Sequence, residues 1–396
     1  MKDKCIYTCI AISILCTSCD TEKKENRLFT VKNTLELSRS FETVEISKSE
    51  IELEAGENFE DLSIQDVETK TILVSQFVDE DQDGVSDVLL FQPELDPKSE
   101  KQFALVKSNT STTQDTMAYC YSRFVPERTD DYTWENNKVA FRTYGPQAQK
   151  MIEDSIPGGT LSSGIDAWLK KVEYPIIDKW YAKNAKNPGA YHIDHGEGLD
   201  NFHVGSSRGV GGSAVKIDTS YYISKNFTDW KRITTGPIRT SFVLDYSDWD
   251  AAGQTISEEK HISLDYGNNL SRFEIHVSGT DELSVGLTLH DNEGTITETV
   301  SEGWISYWES NYFNSELGTA VVAPIGLMQS SEYYVTSMKD RSNLYAQLKV
   351  NDNKVVYYAG FAWKESQQYP TKASWETYLR EFSQKINTPL EVTFNK

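Results

Sequence analysis

The segment His261-Ile-Ser-Leu-Asp-Tyr-Gly-Asn-Asn-Leu-Ser-Arg-Phe-Glu-Ile-His-Val277 contains two runs in which apolar and polar residues alternate. Ile262 and Leu264 are apolar members of the first run, and Phe273 and Ile275 are their counterparts in the second. A period of two is typical of a β-strand that buries one of its faces. The segment therefore predicts two strands of an antiparallel sheet.

Runs of the same kind occur on both sides of this segment. They are 28–53, Thr71–Val78, Val88–Phe91, Leu283–His290, Tyr333–Thr336, Tyr345–Val350 and Lys354–Tyr358. We predict a mainly β protein with a small N-terminal β-sandwich over 28–110, a polar linker over 108–118 and a large antiparallel sandwich or barrel over 119–396. Two helical segments are expected, one around 163–183 and one in which Trp375, Leu379, Phe382 and Ile386 repeat at helical spacing.

The composition limits the classes of partner. The 396 residues include 60 acidic and 39 basic side chains, for a formal charge of −21. A chain with 9 Trp, 21 Tyr and 16 Phe is not a disordered acidic tail. The charge argues against nucleic acid and against an anionic membrane surface as the main partner. An acidic ligand would need a local group of cations.

The N-terminus has the pattern of an export signal. A basic start, Met1-Lys-Asp-Lys, precedes an apolar run over 5–16 that is too short to cross a bilayer. Small residues stand directly before Cys19, which predicts a signal peptide over 1–18, a lipid anchor at Cys19 and a tether over 19–27. The alternative is simple secretion. Only Cys120 then remains outside the segment, so no disulfide within the chain is expected.

The stretch Tyr191–Gly212 has the highest density of reactive side chains. His192, His195 and His203 lie within twelve residues, and Asp194, Glu197, Asp200 and Arg208 are interleaved with them. Imidazoles act as general bases or acids near neutral pH, and together with carboxylates they can bind a divalent metal. The spacing is not that of a helical His-Glu-x-x-His motif. The alternative is a glycine-rich surface loop with incidental histidines.

Two further stretches contain candidate sugar-binding residues. In 125–145, Trp134 offers an aromatic face, Arg142 offers a cation for a carboxylate or sulfate, and Asn136 offers an amide for hydroxyl groups. In 164–175, Trp168 and Lys170 are candidates to line a cleft. The alternative for the first stretch is an ordinary strand with an aromatic core side, and for the second a packing helix.

The acidic stretch Asp79–Asp87 resembles the first part of a calcium loop. Carboxylates stand at relative positions 1, 3, 5 and 9 (Asp79, Asp81, Asp83 and Asp87), and a glycine stands at position 6. Position 12, where a bidentate Glu is expected, is Leu90. The stretch therefore predicts either a calcium site or an acidic turn between strands.

Several motifs together resemble a known family. They are 79–87, 126–136, Ala140-Phe-Arg-Thr-Tyr-Gly-Pro146, Gly164-Ile-Asp-Ala-Trp168, Tyr191–Asp200 and Ser207-Arg-Gly-Val-Gly-Gly212. The family consists of lipoproteins encoded with polysaccharide-utilisation genes in Bacteroidetes-type bacteria. The resemblance implies a mutarotase-like super-β-sandwich and an outer-membrane lipoprotein. The family includes an oligosaccharide dehydratase of ulvan breakdown, which removes water from a saturated uronic acid at the non-reducing end and leaves a 4,5-unsaturated residue.

Such an elimination requires a base for the C5 proton, a cation for the carboxylate and an acid for the departing hydroxyl. On this interpretation His192 or His195 is the base, Tyr191 or His203 is the acid, and Arg208 or Arg142 holds the carboxylate of an acidic oligosaccharide. A site for such a substrate also requires basic side chains to converge on one cleft, namely Arg128, Lys138, Arg142, Lys170 and Arg208. The alternatives are a polysaccharide lyase, a glycoside hydrolase that uses Glu135 with Glu197 or Asp200, and a non-catalytic glycan-binding lipoprotein.

Overall fold

The structure is a computed structural model that describes residues 27–53, 55–107, 117–338 and 340–394. The predicted signal peptide, the anchor at Cys19 and nearly all of the tether and the linker lie outside these residues. Within them, 26 strands pair antiparallel and three α-helices are present, which confirms the mainly β prediction. None of the described helices has the length and apolar content that crossing a bilayer requires.

The elements are numbered in chain order. The first strands are β1 (Leu28–Lys32), β2 (Val44–Ser47), β3 (Leu62–Asp66), β4 (Ser75–Val78), β5 (Val88–Phe91) and β6 (Glu100–Lys107). The next are β7 (Tyr121–Val125), β8 (Asp131–Glu135), β9 (Ala140–Thr143), β10 (Asp166–Lys170) and β11 (Gly198–Leu199). The helices are α1 (Pro146–Glu153), α2 (Ile177–Lys186) and α3 (Lys372–Asn387).

The remaining strands belong to the second half of the chain. They are β12 (Val210–Ile217), β13 (Ser220–Tyr222), β14 (Asp229–Thr234), β15 (Arg239–Asp245), β16 (Trp249–Ala251), β17 (Gln254–Asp265), β18 (Leu270–Ser278) and β19 (Glu282–Thr288). They continue with β20 (Thr295–Thr299), β21 (Trp304–Tyr312), β22 (Ser315–Val322), β23 (Met328–Tyr334), β24 (Asn343–Lys349), β25 (Lys354–Trp363) and β26 (Glu391–Phe394).

The N-terminal region is built on two small sheets, with strand orders β26-β1-β6-β3 and β2-β5-β4. Alternate residues of β1 and β6 point into a shared core, where the ring of Phe29 lies 5.7 Å from that of Phe103 and 5.8 Å from that of Phe91. The last strand, β26, pairs with β1 and places Phe394 against Phe29. A segment that the sequence assigned to the large region thus completes the small one.

The large region contains a nine-stranded sheet, which includes β15, β17, β18, β25, β22 and β21 as successive neighbours, and a five-stranded sheet in the order β13-β12-β19-β24-β23. Their facing residues form the main apolar core, to which Phe273, Val285 and Tyr357 belong. The outer face of the larger sheet is covered at one end by α3, where Trp375 packs with Trp308. The predicted late helix is therefore confirmed, and its apolar stripe has this sheet as its partner.

A third sheet, in the order β11-β10-β9-β8-β7, holds most of the candidate site. The prediction of a helix around 163–183 is partly wrong. Residues Asp166–Lys170 form strand β10, and the helix begins only at Ile177. All five residues of β10 are buried, since both faces of this strand are covered. A strand buried on both faces shows no alternation, so periodicity could not distinguish it from a helix.

The returning strand gives a first prediction. We expect Phe394→Ala to lower the free energy of unfolding by about 1–3 kcal/mol, because the ring packs on Phe29 in the core of the small sandwich. Thr393→Ala is the control, since Thr393 is exposed beside Phe394. Urea denaturation measures both, and equal midpoints for the two variants would refute the contribution of β26 to this core.

Candidate active site

The candidate site is organised around Arg142, which lies on β9 and is buried. Asp166 stands directly opposite on β10 and accepts a hydrogen bond from Nη2 of Arg142. Oδ2 of Asp200 lies 2.9 Å from the same nitrogen, and Oδ2 of Asp131 on β8 lies 3.8 Å from Nη1. One guanidinium therefore faces three buried carboxylates that come from three different segments.

Aromatic rings enclose the same guanidinium. Its central carbon lies 5.3 Å from the ring centre of Tyr144, 5.2 Å from that of Trp168 and 5.8 Å from that of Tyr191. Burial alone would lower the pKa of Arg142, but the charges of Asp200 and the other carboxylates raise it well above its ordinary value. The side chain is thus a permanent cation at the base of the site.

Two of the carboxylates hold their protons unusually well. Burial raises the pKa of Asp131 to about 6 and that of Asp166 to about 7, although Arg142 acts in the opposite direction on both. Burial also raises the pKa of the Tyr144 hydroxyl, which donates to Oδ2 of Asp166 at 3.4 Å. Near neutral pH this cluster therefore keeps exchangeable protons beside a fixed cation.

Several polar atoms of the cluster have no hydrogen-bond partner among the residues that the structure describes. They are Nε and Nη1 of Arg142, Oδ1 of Asp131, Oδ1 of Asp166 and Oδ2 of Asp200. The close approach of Asp200 to Arg142 thus lacks hydrogen-bond alignment, although the two charges are in contact. Unpartnered buried polar atoms are costly, and their concentration at one place is typical of a functional site.

A cleft of about 460 Å³ opens over Arg142 and Tyr144. Its other walls come from the end of α1 and from two loops. The lining residues in these walls are Ile152, Gly159, Thr160, Leu161, His192, Asp200, Asn201, Phe202, His203, Val204 and Gly205. The histidine-rich segment singled out in the sequence therefore forms one side of this cleft, and β9 forms its floor.

His192 reaches the cleft with a defined orientation. Its Nδ1 is hydrogen-bonded to the backbone carbonyl of Asp200 and lies 3.8 Å from the carboxylate of that residue. Because a carbonyl oxygen only accepts, Nδ1 carries the proton and Nε2 holds the lone pair in the neutral ring. The side chain is 54% exposed, so Nε2 is available as a general base.

His203 is held in place from two sides. Its Nε2 lies 3.0 Å from Oδ2 of Asp340, and the side chain is 58% exposed. Its backbone carbonyl accepts from Nε2 of His290 at 3.1 Å, and the other ring nitrogen of His290 is bonded to Glu309. Gly205 has φ +53, and a Cβ there would lie 2.2 Å from the Asp340 carboxylate, so glycine is required for this approach.

Two other candidates from the histidine segment, His195 and Tyr191, lie outside the cleft. His195 lines a narrow hollow with Trp180 and Glu197. Tyr191 is buried, and its hydroxyl accepts from Nε of Arg128 at 3.3 Å. The structure thus brings His192, His203 and Arg142 together in the lining of the cleft. The other base candidate, His195, and the other acid candidate, Tyr191, do not line it, although the ring of Tyr191 packs against Arg142 and His192.

The three predicted contacts of Trp134, Trp168 and Asn136 with a sugar are wrong, since all three residues are fully buried. The indole N–H of Trp134 donates to Oγ of Ser271 at 2.9 Å, inside the main core. Trp168 packs on Arg142, and Asn136 donates to the backbone carbonyl of Asp265. Large aromatic and amide side chains suit a sugar site and a core equally, and only burial distinguishes them.

The expected convergence of five cations is also wrong. Lys170 forms a buried ion pair with Glu135 at 2.7 Å, and Arg208 is buried elsewhere and donates to Oγ of Ser163. Lys138 pairs with Glu173. Apart from Arg142, the predicted cations are absent from the cleft lining in the part of the chain that the structure describes.

The sequence reasoning did not select Asp131 or Asp166 for the site. Each is the first residue of a strand in which all five residues are buried. Asp166 stands between Ile165 and Ala167, and a carboxylate among apolar neighbours is costly without a partner, so this pattern could have identified it. Asp131 follows Asp130 and has no such signal. The partner, Arg142, lies on the neighbouring strand, which only the sheet order reveals.

The acidic stretch forms a turn between β4 and β5. Carboxylate oxygens of Asp79, Asp81 and Asp87 lie within 4.8 Å of one another, whereas Asp83 accepts from the backbone N–H of Val85. Oxygen ligands at this spacing suit a calcium ion. Calcium here stays a prediction. A divalent metal at the histidine segment also stays a prediction. The described residues of that segment do not form a converging group of this kind.

The antiparallel β fold and the polar cleft define a β-sandwich protein with one candidate site over Arg142. The chain belongs to the family described as "Domain of unknown function (DUF4861)", whose signature matches residues 31–392. It is 77% identical over 393 residues to an uncharacterised protein of Formosa agariphila, with 99% of this chain and 100% of that protein covered.

Two solved structures show lower similarity. A glycosyl hydrolase family 38 protein from Enterococcus faecalis matches with 10% identity and a TM-score of 0.48, and an alpha-mannosidase from the same species matches with 11% identity and a TM-score of 0.47. They match 93% and 94% of this chain, which spans about half, 47%, of the length of each. TM-scores below 0.5 do not establish a common fold.

The buried pair of Lys170 and Glu135 gives a second prediction. Burial raises the pKa of Glu135 and lowers that of Lys170, so desolvation outweighs their mutual attraction in both groups. We expect Lys170→Met to lower the free energy of unfolding by about 3–5 kcal/mol, because Glu135 is left unpaired. Chemical denaturation measures this loss.

The control is Lys171→Met, since the ion pair of Lys171 with Asp194 is partly exposed and its loss costs about 1 kcal/mol or less. The double variant Glu135→Gln with Lys170→Met should recover part of the loss. If Lys170→Met were as stable as the Lys171 variant, the structural role of Lys170 would be excluded.

The raised pKa of Asp166 gives a third prediction. Its folded-state pKa of about 7 exceeds the ordinary value of about 4, so between these values the folded state binds more protons than the unfolded state. Folding is therefore favoured as pH falls. Relative to Asp166→Asn, the wild type should gain stability between about pH 8 and about pH 5, as measured by urea denaturation at each pH.

Asp194→Asn serves as the control for this pH dependence. Partial burial would raise the pKa of Asp194, but hydrogen bonds from Lys171 and two backbone N–H groups lower it overall. Its titration lies below the tested range, so the difference between wild type and this variant should stay constant. A constant difference for Asp166→Asn as well would contradict the assignment of the retained proton.

Proposed function

We propose that the protein is a carbohydrate-active lyase that removes water from a saturated uronic acid at the non-reducing end of an oligosaccharide from ulvan. The observation that carries the proposal is the cleft in which the accessible imidazoles of His192 and His203 share a wall above Arg142 and Tyr144. These groups supply the base, the acid, the cation and the hydroxyl donor that an elimination beside a carboxylate requires.

In the proposed reaction Nε2 of His192 takes the C5 proton. The electron pair of the broken C–H bond forms the C4–C5 double bond, and the bond between C4 and its hydroxyl oxygen breaks. His203 protonates this hydroxyl, which leaves as water. Arg142 stabilises the carboxylate as its charge increases. The hydroxyl of Tyr144, which burial keeps protonated, turns its one proton from Asp166 to the sugar when substrate binds.

The charge of the cleft favours action at a chain end. Among the described residues that line the cleft, Arg142 is the one permanent cation, and carboxylates surround it. A single terminal uronate needs one such partner, whereas a polyanionic chain bound along its length would need several. The arrangement thus supports recognition of one carboxylate at the end of the oligosaccharide.

A glycoside hydrolase is the second candidate, and the cluster of Asp131, Asp166 and Asp200 favours it. A carboxylic acid with a raised pKa beside an ionised carboxylate is the usual pair for glycosidic bond cleavage. However, these carboxylates are buried and engaged with Arg142, whereas His192 and His203 are exposed. The accessible groups therefore favour the elimination.

A fourth prediction separates the two reactions. Oligosaccharides with a saturated uronic acid at the non-reducing end should lose one water and gain the ultraviolet absorbance of a conjugated enol ether. A hydrolase would instead produce new reducing ends without unsaturation. Mass spectrometry on a substrate panel reads both outcomes, and new reducing ends without loss of water would refute the dehydratase.

The same assay tests the residues. His192→Asn and His203→Asn should each lower kcat about 10²- to 10⁴-fold, the usual contribution of a general base or acid. His195→Asn is the matched control, since His195 is exposed on the same segment but lies outside the cleft. Equal loss in all three variants would contradict the assignment.

A further inference from the structure

A second cluster of histidines lies on the outer face of the large sheet, away from the cleft over Arg142. Glu259 and His261 are two residues apart on β17 and therefore share a face. On the neighbouring strand β18, His276 stands directly opposite Glu259, and Glu274 stands opposite His261. The register thus places two imidazoles and two carboxylates next to one another on one face of the sheet.

The ligand atoms of three of these residues converge. One nitrogen or oxygen each from Glu259, His261 and His276 lies within 4.8 Å of the other two. The two imidazole rings are stacked, with centres 4.6 Å apart and planes inclined by 16°. We propose that Glu259, His261 and His276 bind a divalent transition-metal ion of the zinc class.

The side chains can close on such an ion without rearrangement of the sheet. Zinc takes nitrogen ligands at about 2.0–2.1 Å, so the ligand atoms need to move inward by about 1 Å. The side chains of Glu259, His261 and His276 are between 40% and 47% exposed, and the hydrogen bond between His261 and Glu259 would be replaced by contacts of both groups with the ion. Their Cα atoms are fixed by the pairing of β17 and β18, so the site is held on a rigid support.

Neighbouring carboxylates support the ligands. Glu274 accepts from Nε2 of His276 at 3.0 Å, which leaves the other ring nitrogen for a metal, and it is held in turn by Arg272 and Lys354. A carboxylate behind a histidine ligand fixes the ring and raises metal affinity. Glu274 thus has the position of a residue that orients a ligand without binding the metal itself.

Charge in the cluster also favours a cation. Asp245, on β15, stands opposite Glu259 in the sheet. Directly opposite residues of neighbouring strands share a face, so the carboxylates of Asp245 and Glu259 lie side by side and repel each other when both are ionised. A divalent ion would remove this repulsion, and Asp245 or a water would then be the fourth ligand.

Glu259 and His261 line an open cleft of about 580 Å³, to which Val78 and Glu80 of the small sandwich also contribute. Imidazole ligands select zinc, copper or nickel over calcium, so the ion here differs in class from the one predicted at the acidic turn. The two sites can therefore be separated by the choice of metal.

The test is a calorimetric titration of the purified, chelator-treated chain with zinc chloride. Wild type should bind one equivalent, and its melting temperature should rise with zinc concentration. The variant His261→Gln with His276→Gln should lose this binding. Glu274→Gln should weaken it about 10- to 100-fold, the usual effect of removing a carboxylate that orients a histidine ligand.

The matched control is His192→Gln with His203→Gln, which removes the two histidines of the cleft and should leave zinc binding unchanged. All four histidines are partly exposed, so folding of each variant is verified by circular dichroism. Absence of saturable zinc binding by wild type, or binding lost with the control pair but kept in the His261 and His276 variant, would overturn the proposal.

Discussion

The buried charge of Arg142 is the constraint on which the candidate site depends. Its guanidinium connects Asp131 on β8 and Asp166 on β10 with Asp200 in the loop that follows β11. A charge removed from water must have partners, so the strands and the loop have to adopt the arrangement that supplies them. The position of His192 follows from this, since its ring is bonded to the backbone of Asp200.

The candidate site contains two kinds of titratable group, buried carboxylates that contact Arg142 and exposed histidines. The carboxylates around Arg142 are buried, whereas the side chains of His192 and His203 are more than half exposed in the cleft. A chain with a net charge of −21 thus presents one guanidinium, within an acidic cluster, at this cleft. Among the residues that the structure describes, the local group of cations that the composition led us to expect for an acidic ligand is not present at this cleft.

Much of the fold could be predicted because its signals are local. Alternating runs identified the strands β17 and β18, and helical spacing from Trp375 onwards identified α3. The prediction was wrong at β10, where burial on both faces removes the alternation. It was also wrong for Trp134 and Lys170, because the partners that make their burial favourable lie on other segments.

The sequence by itself determined the antiparallel β class, the late helix and the segment that contains His192 and His203, since each depends on neighbours within a few residues. Only the tertiary structure decided that these histidines share a cleft with Arg142 while His195 does not. The register that places His261 and Glu259 beside His276 is of the same kind. Register and ion pairing join residues far apart in the chain, and no local period encodes which distant strand will supply the partner.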